Sequence, residues 1–266
     1  MPEGPEVKIA SDYFNEMFSN SKHLSFEIIS DYYRQKYSDV FNVVSLNINR
    51  YKPTFTIGKN VFLELSEDIL FNFHLGMTGG WSKELIKHCH FRVYSDKDEI
   101  FFKDVRKFGK MRLITKSQFI DKFNPSYDLL NSLYDIKKHL IFLEENVKPH
   151  KSICYVLMNQ KYFPGVGNYI KSETLYESKI HPEQKWGDLN IKKKNNLILI
   201  TQKIMQESYN LGGAELKDFS NPFTPSKFKL KIYGKKYTIS NNLVTSETTS
   251  DSRKSWFCPI EQELYL

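Results

Sequence analysis

The sequence predicts an α+β protein of two domains, an N-terminal antiparallel β-sandwich and a C-terminal helical domain. Short strand-like segments dominate the first half of the chain, and helix-like segments follow from about Asn131. A length of 266 residues suits two domains better than one. Aromatic residues make up 15% of the chain, which excludes an extended disordered protein and predicts a sizeable core.

The first predicted element is a helix. Pro5 suits the first helical position, where the missing N–H of proline costs nothing. Apolar residues then recur every three or four positions, which is the spacing of one helix face: Val7, Ala10, Phe14 and Met17. The segment from Pro5 onward is therefore predicted to be helical.

A period of two replaces this pattern after the helix, which indicates half-buried strands. The strand candidates are Leu24–Ile29, Phe41–Ile48, Val61–Leu65, Ile69–Leu75, His90–Tyr94, Glu99–Phe102 and Met111–Ile114. Short strands separated by turn-like residues, with little helix between them, are typical of an antiparallel sandwich. We assign residues 1–128 to this domain and place a linker around Lys116–Leu130.

Helical periodicity returns in residues 131–222, which we assign to the second domain. Its predicted helices are Lys138–Glu145, Lys151–Asn159, Asn168–Ser178 and Ile191–Tyr209. Residues 223–266 alternate again and predict a β-hairpin, with a long polar tip over Asn241–Ser252 that we expect to be mobile. The predicted packing residues of this hairpin are Phe228, Leu230, Ile232, Tyr237, Trp256 and Phe257.

The charge balance points to a polyanionic partner. Lys and Arg number 38 against 31 Asp and Glu, which gives a net charge of +7. Basic side chains release counterions from nucleic acid, although a merely basic protein would have the same composition. No stretch approaches the ~18–20 apolar residues of a membrane span. Cys89, Cys154 and Cys258 lie too far apart for a disulfide framework, which indicates a reducing, intracellular compartment.

The N-terminal residues could carry covalent chemistry. Removal of Met1 would leave Pro2 with a free secondary amine, whose pKa of about 8 keeps far more of it neutral than a lysine. Such an amine attacks an anomeric carbon to give an iminium, and Glu3 and Glu6 supply carboxylates for proton transfer. Proline and glutamate are also favoured at an ordinary helix N-terminus, so that interpretation stays open.

Two turns and one helix junction are candidate DNA contacts. Met77, in the turn HLGMTG, and Phe108, beside Arg106, could each place an apolar wedge between stacked bases. Burial of Met77 and Phe108 in two hairpins is the ordinary alternative. The turn Gly165–Gly167 leads into a helix at Asn168 and would present backbone N–H groups to an anion.

These motifs follow one another in the order of a known family. The chain opens with MPEGPE and continues with Gly58-Lys59, HLGMTG, DVRKFG, GVGNY and a late RKSW. In this order they resemble the formamidopyrimidine-DNA glycosylase/endonuclease VIII (Fpg/Nei) family over residues 1–262. The resemblance implies a β-sandwich, a helix–two-turn–helix domain and a groove for DNA between them.

The resemblance also implies catalytic roles for five residues. Pro2 matches the N-terminal nucleophile, and Glu3 matches the acid/base residue that assists sugar opening. Glu6 matches an acidic position beside them, and Lys59 matches a lysine that contacts phosphate and assists catalysis. Glu173 matches an acidic position on the helix that follows the glycine-rich turn.

DNA-binding residues are implied in the same way. Met77, Arg106 and Phe108 match the residues that fill the void left by an everted nucleotide. Asn168 matches the phosphate-gripping asparagine, and Arg253 matches the arginine with which a C-terminal hairpin clamps phosphates. The complete predicted set is His74, Met77, Arg106, Phe108, Asn168, Tyr169 and Arg253.

The C-terminal hairpin departs from the family pattern. Most members end in a four-cysteine zinc finger, whereas here Glu261 occupies the fourth ligand position after Cys258, and residues 235–242 contain no cysteine. One thiolate cannot hold a tetrahedral structural zinc. The chain therefore resembles the zincless-finger branch of Nei-like enzymes, a type found in vertebrates and in mimivirus, and we expect no metal or other cofactor. The run His88–His90 is interpreted as structural or as lying close to DNA, rather than as a metal site.

The resemblance implies a bifunctional DNA glycosylase and abasic-site lyase of base excision repair. Pro2 would attack the sugar of a flipped damaged nucleotide, and β- and δ-elimination would follow. Oxidised pyrimidines are the expected main substrates, with hydantoins and formamidopyrimidines as further ones, in double-stranded DNA and also in single strands. The alternatives are a catalytically silent damaged-DNA-binding protein and an enzyme specific for 8-oxoguanine. We expect a monomer.

Overall fold

The computed structural model describes residues 1–48, 51–215 and 225–264, which form two compact units. The sandwich unit consists of Met1–Pro2, Glu6–Asn124 and Glu215–Ser226, as far as these are described. The helical unit consists of Glu3–Pro5, Pro125–Ala214 and Lys227–Leu266, with the same restriction. No helix within the described ranges is long and apolar enough to cross a bilayer.

Two antiparallel sheets build the sandwich unit. In spatial order, the first sheet contains β1 (Ser25–Ile28), β6 (Cys89–Tyr94), β7 (Glu99–Asp104) and β5 (Gly79–Ser82). The second sheet contains β2 (Phe55–Ile57), β3 (Asn60–Glu64), β4 (Ile69–His74) and β8 (Lys110–Thr115). The predicted antiparallel sandwich is confirmed, and β2 and β5 are the strands that the sequence pattern missed.

Aromatic side chains fill the core of the sandwich unit, together with helix α1 (Gly4–Phe18), which was predicted from Pro5 onward. The rings of Phe91 and Phe102 stack with their centroids 4.9 Å apart. Trp81 meets several of these rings at steep angles, and its indole N–H donates to the carbonyl of Ala10 at 3.0 Å. The one polar atom of this large side chain is therefore satisfied, which burial of a tryptophan requires.

The strand predicted over Phe41–Ile48 is wrong, because this stretch is the second half of helix α2 (Asp31–Asn47). The side chain of Ser30 caps the helix by accepting from the N–H of Tyr33. The buried side chains of α2 are spaced three or four residues apart, at Tyr33, Tyr37, Phe41 and Val44. The valines of this stretch favour strands locally, but the single apolar face that spans the whole segment decides for a helix.

The segment predicted as a linker contains an α-helix in its first half and a short 3₁₀ helix, Pro125–Tyr127, in its second half. Helix α3 (Lys116–Lys122) begins at a capping box in which Thr115 and Gln118 exchange side-chain and backbone hydrogen bonds. Phe119, from this helix, meets the ring of Phe62 on the second sheet at 5.1 Å. The helix therefore covers the outer face of that sheet.

All the helices predicted for the second half of the chain are confirmed. They are α4 (Ile136–Asn146), α5 (Ile153–Met158), α6 (Asn168–Glu177) and α7 (Ile191–Asn210). Helix α6 begins at the predicted residue, directly after the turn Gly165–Gly167. Helix α5 is shorter than predicted because the Ser152 side chain caps it, accepting from the N–H of Tyr155.

The C-terminal hairpin consists of β9 (Thr245–Thr248) and β10 (Lys254–Phe257). The polar tip predicted over Asn241–Ser252 therefore contains a strand, contrary to expectation. Strand β9 reads Thr-Ser-Glu-Thr and has no apolar side chain, so apolar periodicity could not show it, and the strand is held by its ladder with β10. Among the predicted packing residues, Ile232 and Phe257 are buried, whereas Tyr237 is 49% exposed.

Candidate active site and nucleic-acid interface

The first group of candidate residues lies at the start of helix α6. The carboxylate of Glu3 accepts from the N–H of Tyr169 at 2.9 Å and from the N–H of Ile170 at 3.3 Å. Glu3 is only 2% exposed. The first N–H groups of a helix lack partners within it and favour an anion, so the predicted anion at this turn is a side chain of the chain itself.

Glycines allow this close approach. A Cβ placed on Gly167 would lie 2.3 Å from the carboxyl carbon of Glu3, closer than any real side chain permits. The N–H of Gly4 donates to the carbonyl of Gly165 at 2.8 Å, which ties the N-terminal segment to the turn a second time. The glycine-rich turn therefore holds Glu3 in one place, directly after the buried Pro2 in the chain.

Tyr169 and Glu173 both hold parts of the helical unit together. The Tyr169 ring is buried and its hydroxyl pairs with the hydroxyl of Ser208 at 3.0 Å, a placement that favours positioning over DNA contact. The buried carboxylate of Glu173 accepts from the backbone N–H groups of Lys231, Ile232 and Tyr233. Burial raises the pKa of Glu173, and these three donors oppose that rise. Catalytic work for Glu173 stays a prediction.

The turn that carries Arg253 is anchored on helix α6. The ammonium of Lys171 and the carboxylate of Asp251 form an ion pair of 2.7 Å, with side-chain exposures of 0% and 2%. Asp251 also accepts from the N–H of Arg253 at 3.2 Å. The Asn168 amide donates to the carbonyl of Lys254 at 2.8 Å. Arg253 itself is exposed, as phosphate binding requires.

Glu261, at the position where the resemblance places a fourth zinc ligand, forms an ion pair. The carboxylate of Glu261 accepts from the Lys179 ammonium at 2.7 Å and from the Asn242 amide at 3.1 Å. The Lys179 contact, followed by that of Asn242, lowers the pKa of Glu261 to about 2. The neighbouring Cys258 is buried, and its N–H donates to the side chain of Gln262. Across the described ranges, no three His, Cys, Asp or Glu side chains form a cluster that could hold a metal.

Basic residues surround His74 in the sandwich unit. The strand register places His74 opposite Asn60, next to Lys59, and opposite Lys110 on the other side. Burial, followed by the charges of Lys59, Lys110 and Arg112, lowers the pKa of His74 to about 4. The N–H of Gly76 donates to its Nδ1 at 2.9 Å, so the neutral ring carries its proton on Nε2. Lys59 is buried in the turn between β2 and β3.

The candidate wedge residues lie on two loops of the same unit. Phe108 is 48% exposed, and the Arg106 guanidinium lies over its ring at 4.8 Å from the centroid. Met77 is half-buried in the turn between β4 and β5. Phe108 is therefore not a core residue, contrary to the ordinary alternative. Glu6 is buried in α1.

Sequence interpretation missed the residues that hold these candidates in place. Lys171 and Asp251 are 80 residues apart in the chain, and Lys179 and Glu261 are 82 apart. No local pattern marks such pairs, since each member alone resembles an ordinary surface charge. The sequence signal that could have revealed the first pair is Lys171, a charged residue within an otherwise buried stretch of α6.

Comparison with known proteins gives one consistent result. Residues 1–111 match the family model of the formamidopyrimidine-DNA glycosylase N-terminal domain, and residues 131–220 match that of the formamidopyrimidine-DNA glycosylase H2TH domain. The formamidopyrimidine-DNA glycosylase of Wolbachia sp. subsp. Brugia malayi is 30% identical over 280 residues, covering 97% of this chain and 98% of that protein. That of Acinetobacter baumannii is 29% identical, covering 99% of this chain and 98% of that protein.

Solved structures agree on the fold. The Lactococcus lactis Fpg in complex with DNA that contains an abasic site superposes with a TM-score of 0.82 at 24% identity, covering 98% of this chain and 99% of that one. MutM in complex with DNA that contains carbocyclic 8-oxo-G gives a TM-score of 0.81 at 23% identity, covering 98% of this chain and 100% of that one. The predicted two-domain α+β fold is therefore confirmed.

Proposed function

This chain belongs to the formamidopyrimidine-DNA glycosylase/endonuclease VIII family of DNA glycosylases with abasic-site lyase activity, and we propose that it excises oxidised bases through a Schiff base on Pro2. The observation that carries the proposal is the Glu3 carboxylate. It is buried, fixed by two backbone N–H groups of α6, and adjacent in the chain to the proposed nucleophile.

The proposed reaction starts once Met1 is removed, because only then is the Pro2 nitrogen a secondary amine. This nitrogen attacks C1′ of the everted nucleotide, and the damaged base leaves with the electron pair of the glycosidic bond and takes up a proton. Glu3 gives a proton to the ring oxygen, the sugar opens, and an iminium forms between Pro2 and C1′.

Elimination completes the proposed sequence. The iminium withdraws electrons, so a proton leaves C2′ and the 3′-phosphate departs in β-elimination. A second loss of a proton releases the 5′-phosphate in δ-elimination. Hydrolysis of the iminium frees Pro2, and a one-nucleotide gap with a phosphate at each end remains. The steps need acids, bases and water, and no redox partner.

Contacts to DNA divide between the two compact units. In the sandwich unit, Lys59 and the neutral His74 would bind phosphate, since Nε2 of His74 is a donor. In the helical unit, Asn168 and Arg253 would grip phosphates. A hydrogen bond to the carbonyl of Lys254 holds the Asn168 amide, and the carboxylate of Asp251 holds the backbone N–H of Arg253. Met77, Arg106 and Phe108 would fill the void left by the everted nucleotide.

Oxidised pyrimidines are the main substrates we propose, with formamidopyrimidines as the second candidate class. Formamidopyrimidines are included as the second class because the relatives of similar length bear the name formamidopyrimidine-DNA glycosylase. The Lactococcus lactis enzyme has been solved with DNA that contains Fapy-dG and with DNA that contains an oxidised pyrimidine, so one such fold accepts both. We expect a monomer that works inside the cell on double-stranded DNA, with single strands as a further substrate.

Borohydride trapping on abasic-site DNA tests the proposal. Wild-type protein without Met1 should form a stable cross-link that maps to Pro2, and Pro2→Gly should be strongly impaired. Glu3→Gln should reduce base excision by about 10²–10⁴-fold while it retains DNA binding, because an amide cannot exchange the proton. Glu16→Gln, an exposed position on α1, is the matched control and should behave as wild type. A cross-link at Lys59 would overturn the choice of nucleophile, and binding without any cross-link would favour the catalytically silent alternative.

A further inference from the structure

A buried carboxylate joins the two loops that carry the proposed wedge residues. Asp104 is the last residue of β7 and has 0% exposure. Its Oδ1 accepts from the Thr78 hydroxyl at 2.5 Å, and its Oδ2 accepts from the Gly109 N–H at 2.7 Å. Thr78 directly follows Met77, and Gly109 directly follows Phe108. One side chain therefore fixes the residue after each wedge.

The Thr78 hydroxyl makes a second contact that completes the connection. It accepts from the backbone N–H of Arg106 at 2.9 Å. Because a hydroxyl has a single proton, and an N–H can only donate, the hydroxyl proton must point to the Asp104 carboxylate. The carboxylate thereby orients the group that holds Arg106. The chain of donors runs from Arg106 through Thr78 to Asp104 without a break.

The two loops also touch through their backbones. A Cβ on Gly76 would lie 2.5 Å from the carbonyl carbon of Phe108, so only glycine lets the loops approach this closely. The N–H of Gly79 donates to the carbonyl of Leu75 at 2.9 Å and closes the turn that carries Met77. The backbones of the two wedge loops are therefore in close contact next to Asp104.

Neighbouring elements hold the backbone of Asp104 and of Gly109 in place. Nε2 of His90 lies 2.9 Å from the backbone carbonyl of Asp104, and the Tyr33 ring stacks on His90 at 4.4 Å. The Tyr37 hydroxyl donates to the carbonyl of Gly109 at 3.0 Å. The Thr78 hydroxyl and the Gly109 N–H are neutral groups of the wedge loops, so the charge of the carboxylate supports the geometry of these loops.

We infer that Asp104 is a positioning residue, which presents Met77, Arg106 and Phe108 to DNA as one rigid wedge. The inference rests on the proposed function, since a wedge matters only where a nucleotide must be everted from a duplex. Without the carboxylate, Thr78 and Gly109 lose their common acceptor and the loops can move apart. The wedge then fills the void less well. A nucleotide that is already unpaired does not need this help.

Asp104→Asn tests the inference, because the amide keeps the size and one carbonyl oxygen but points an N–H₂ at a donor. Single-turnover excision of one lesion is measured in a fully paired duplex and in the same strand alone. We expect a loss of about 10- to 100-fold in the duplex, the cost of disturbing hydrogen bonds to a charged group. We expect excision from the single strand to stay close to wild type. Asp98→Asn, just before the other end of β7, is the matched control and should change neither rate.

A second measurement reads eversion directly. 2-Aminopurine placed opposite the lesion brightens when the duplex is opened, and this change should be smaller with Asp104→Asn than with wild type. Thr78→Val should reproduce the duplex defect, whereas Thr78→Ser, which keeps the hydroxyl, should restore it. If Asp104→Asn does not fold, the two Thr78 variants still test the role of Asp104.

The outcomes separate the inference from the function on which it rests. Equal losses on duplex and single strand, or a Thr78→Val variant with wild-type duplex activity, would overturn the role of Asp104. Absence of a borohydride cross-link in wild-type protein would instead overturn the proposed function. A normal cross-link together with unequal losses supports both.

Discussion

The two compact units hold their proposed DNA-contacting residues in place by different kinds of interaction. In the sandwich unit, stacked and edge-on rings such as Phe91 and Phe102 make the scaffold rigid, and Asp104 accepts from neutral donors. In the helical unit, the hairpin packs on a small apolar cluster around Ile232 and Cys258. Its turn is positioned by the buried pair of Lys171 and Asp251.

This difference predicts which kind of substitution disrupts the proposed DNA-contacting residues of each unit. Apolar burial is non-directional and tolerates small shifts of position. A buried ion pair is directional, and removal of one partner leaves an uncompensated charge. The turn that carries Arg253 should therefore depend on single charged residues, whereas the sandwich scaffold should depend on the volume of its core.

The largest expected effect comes from one variant in each unit. Lys171→Met and Phe91→Ala should each lower the free energy of unfolding by about 3–5 kcal/mol, the first through an unpaired charge and the second through a cavity. Only Lys171→Met should also weaken the contribution of Arg253 to DNA binding. Denaturant unfolding and DNA titration measure the two effects. Lys203→Met, at an exposed pair with Glu207, is the control and should change stability by less than about 0.5 kcal/mol.

Removal of the second charge of the pair sharpens this prediction. In the double variant Lys171→Met with Asp251→Leu, no buried charge remains, so the unfolding free energy should recover part of the loss. Additive losses in the double variant would mean that the two side chains do not stabilise one another.

Acid sensitivity should be marked in the helical unit. His139 is buried in α4, and this burial lowers its pKa to about 4. The unfolded chain takes up a proton near the ordinary histidine pKa of about 6.5, which the native state resists, so stability is complete above that value and falls as the pH drops toward 4. The loss should reach up to about 3 kcal/mol. In His139→Gln the same stretch of the unfolding free-energy curve should be flatter; an unchanged slope would contradict the burial argument.

The wedge and the phosphate grips should separate by salt dependence. Arg253→Ala should reduce the slope of log Kd against log salt by about one contact, whereas Asn168→Ala removes a neutral group and should weaken binding at an unchanged slope. Met77→Ala or Phe108→Ala should leave the slope unchanged and slow excision in paired duplex. Arg253→Lys should recover only part of the affinity, because an ammonium cannot reproduce a forked contact. An Arg253→Ala slope equal to those of Met77→Ala and Phe108→Ala would remove this distinction.

The smallest expected effect is that of a chelator. The hairpin is held by Lys171, Glu173 and the contact of Glu261 with Lys179, all of which are independent of metal. Excision rates with and without chelator should therefore be equal. Atomic spectroscopy on the purified protein is the companion measurement, and stoichiometric zinc whose removal abolishes activity would contradict the zincless interpretation.

Local signals account for what could be predicted from the sequence. The turn before Asn168 follows from glycines, among which Gly165 has a positive φ, and their backbone needs are local. Exposure of Phe108 was one of two alternatives that the sequence left open. Helix α2 was missed because Val43 and Val44 have strand preference, while the cap at Ser30 lies outside the apparent strand. Long-range partners leave no such mark. The contacts of Asp104 with Thr78 and of Lys171 with Asp251 arise only when distant segments fold together.

The attachment of Glu3 to the start of α6 has a consequence for protein synthesis. The carboxylate and its donor on Tyr169 are 166 residues apart, so this contact can form only after most of the chain has left the ribosome. Met1, in contrast, is exposed to removal as soon as the first residues emerge. The proposed nucleophile is thus formed early, and Glu3, its proposed acid/base partner, is fixed late. A chain interrupted before Tyr169 carries Pro2 and Glu3 on an untethered segment, and truncated translation products should therefore leave DNA intact.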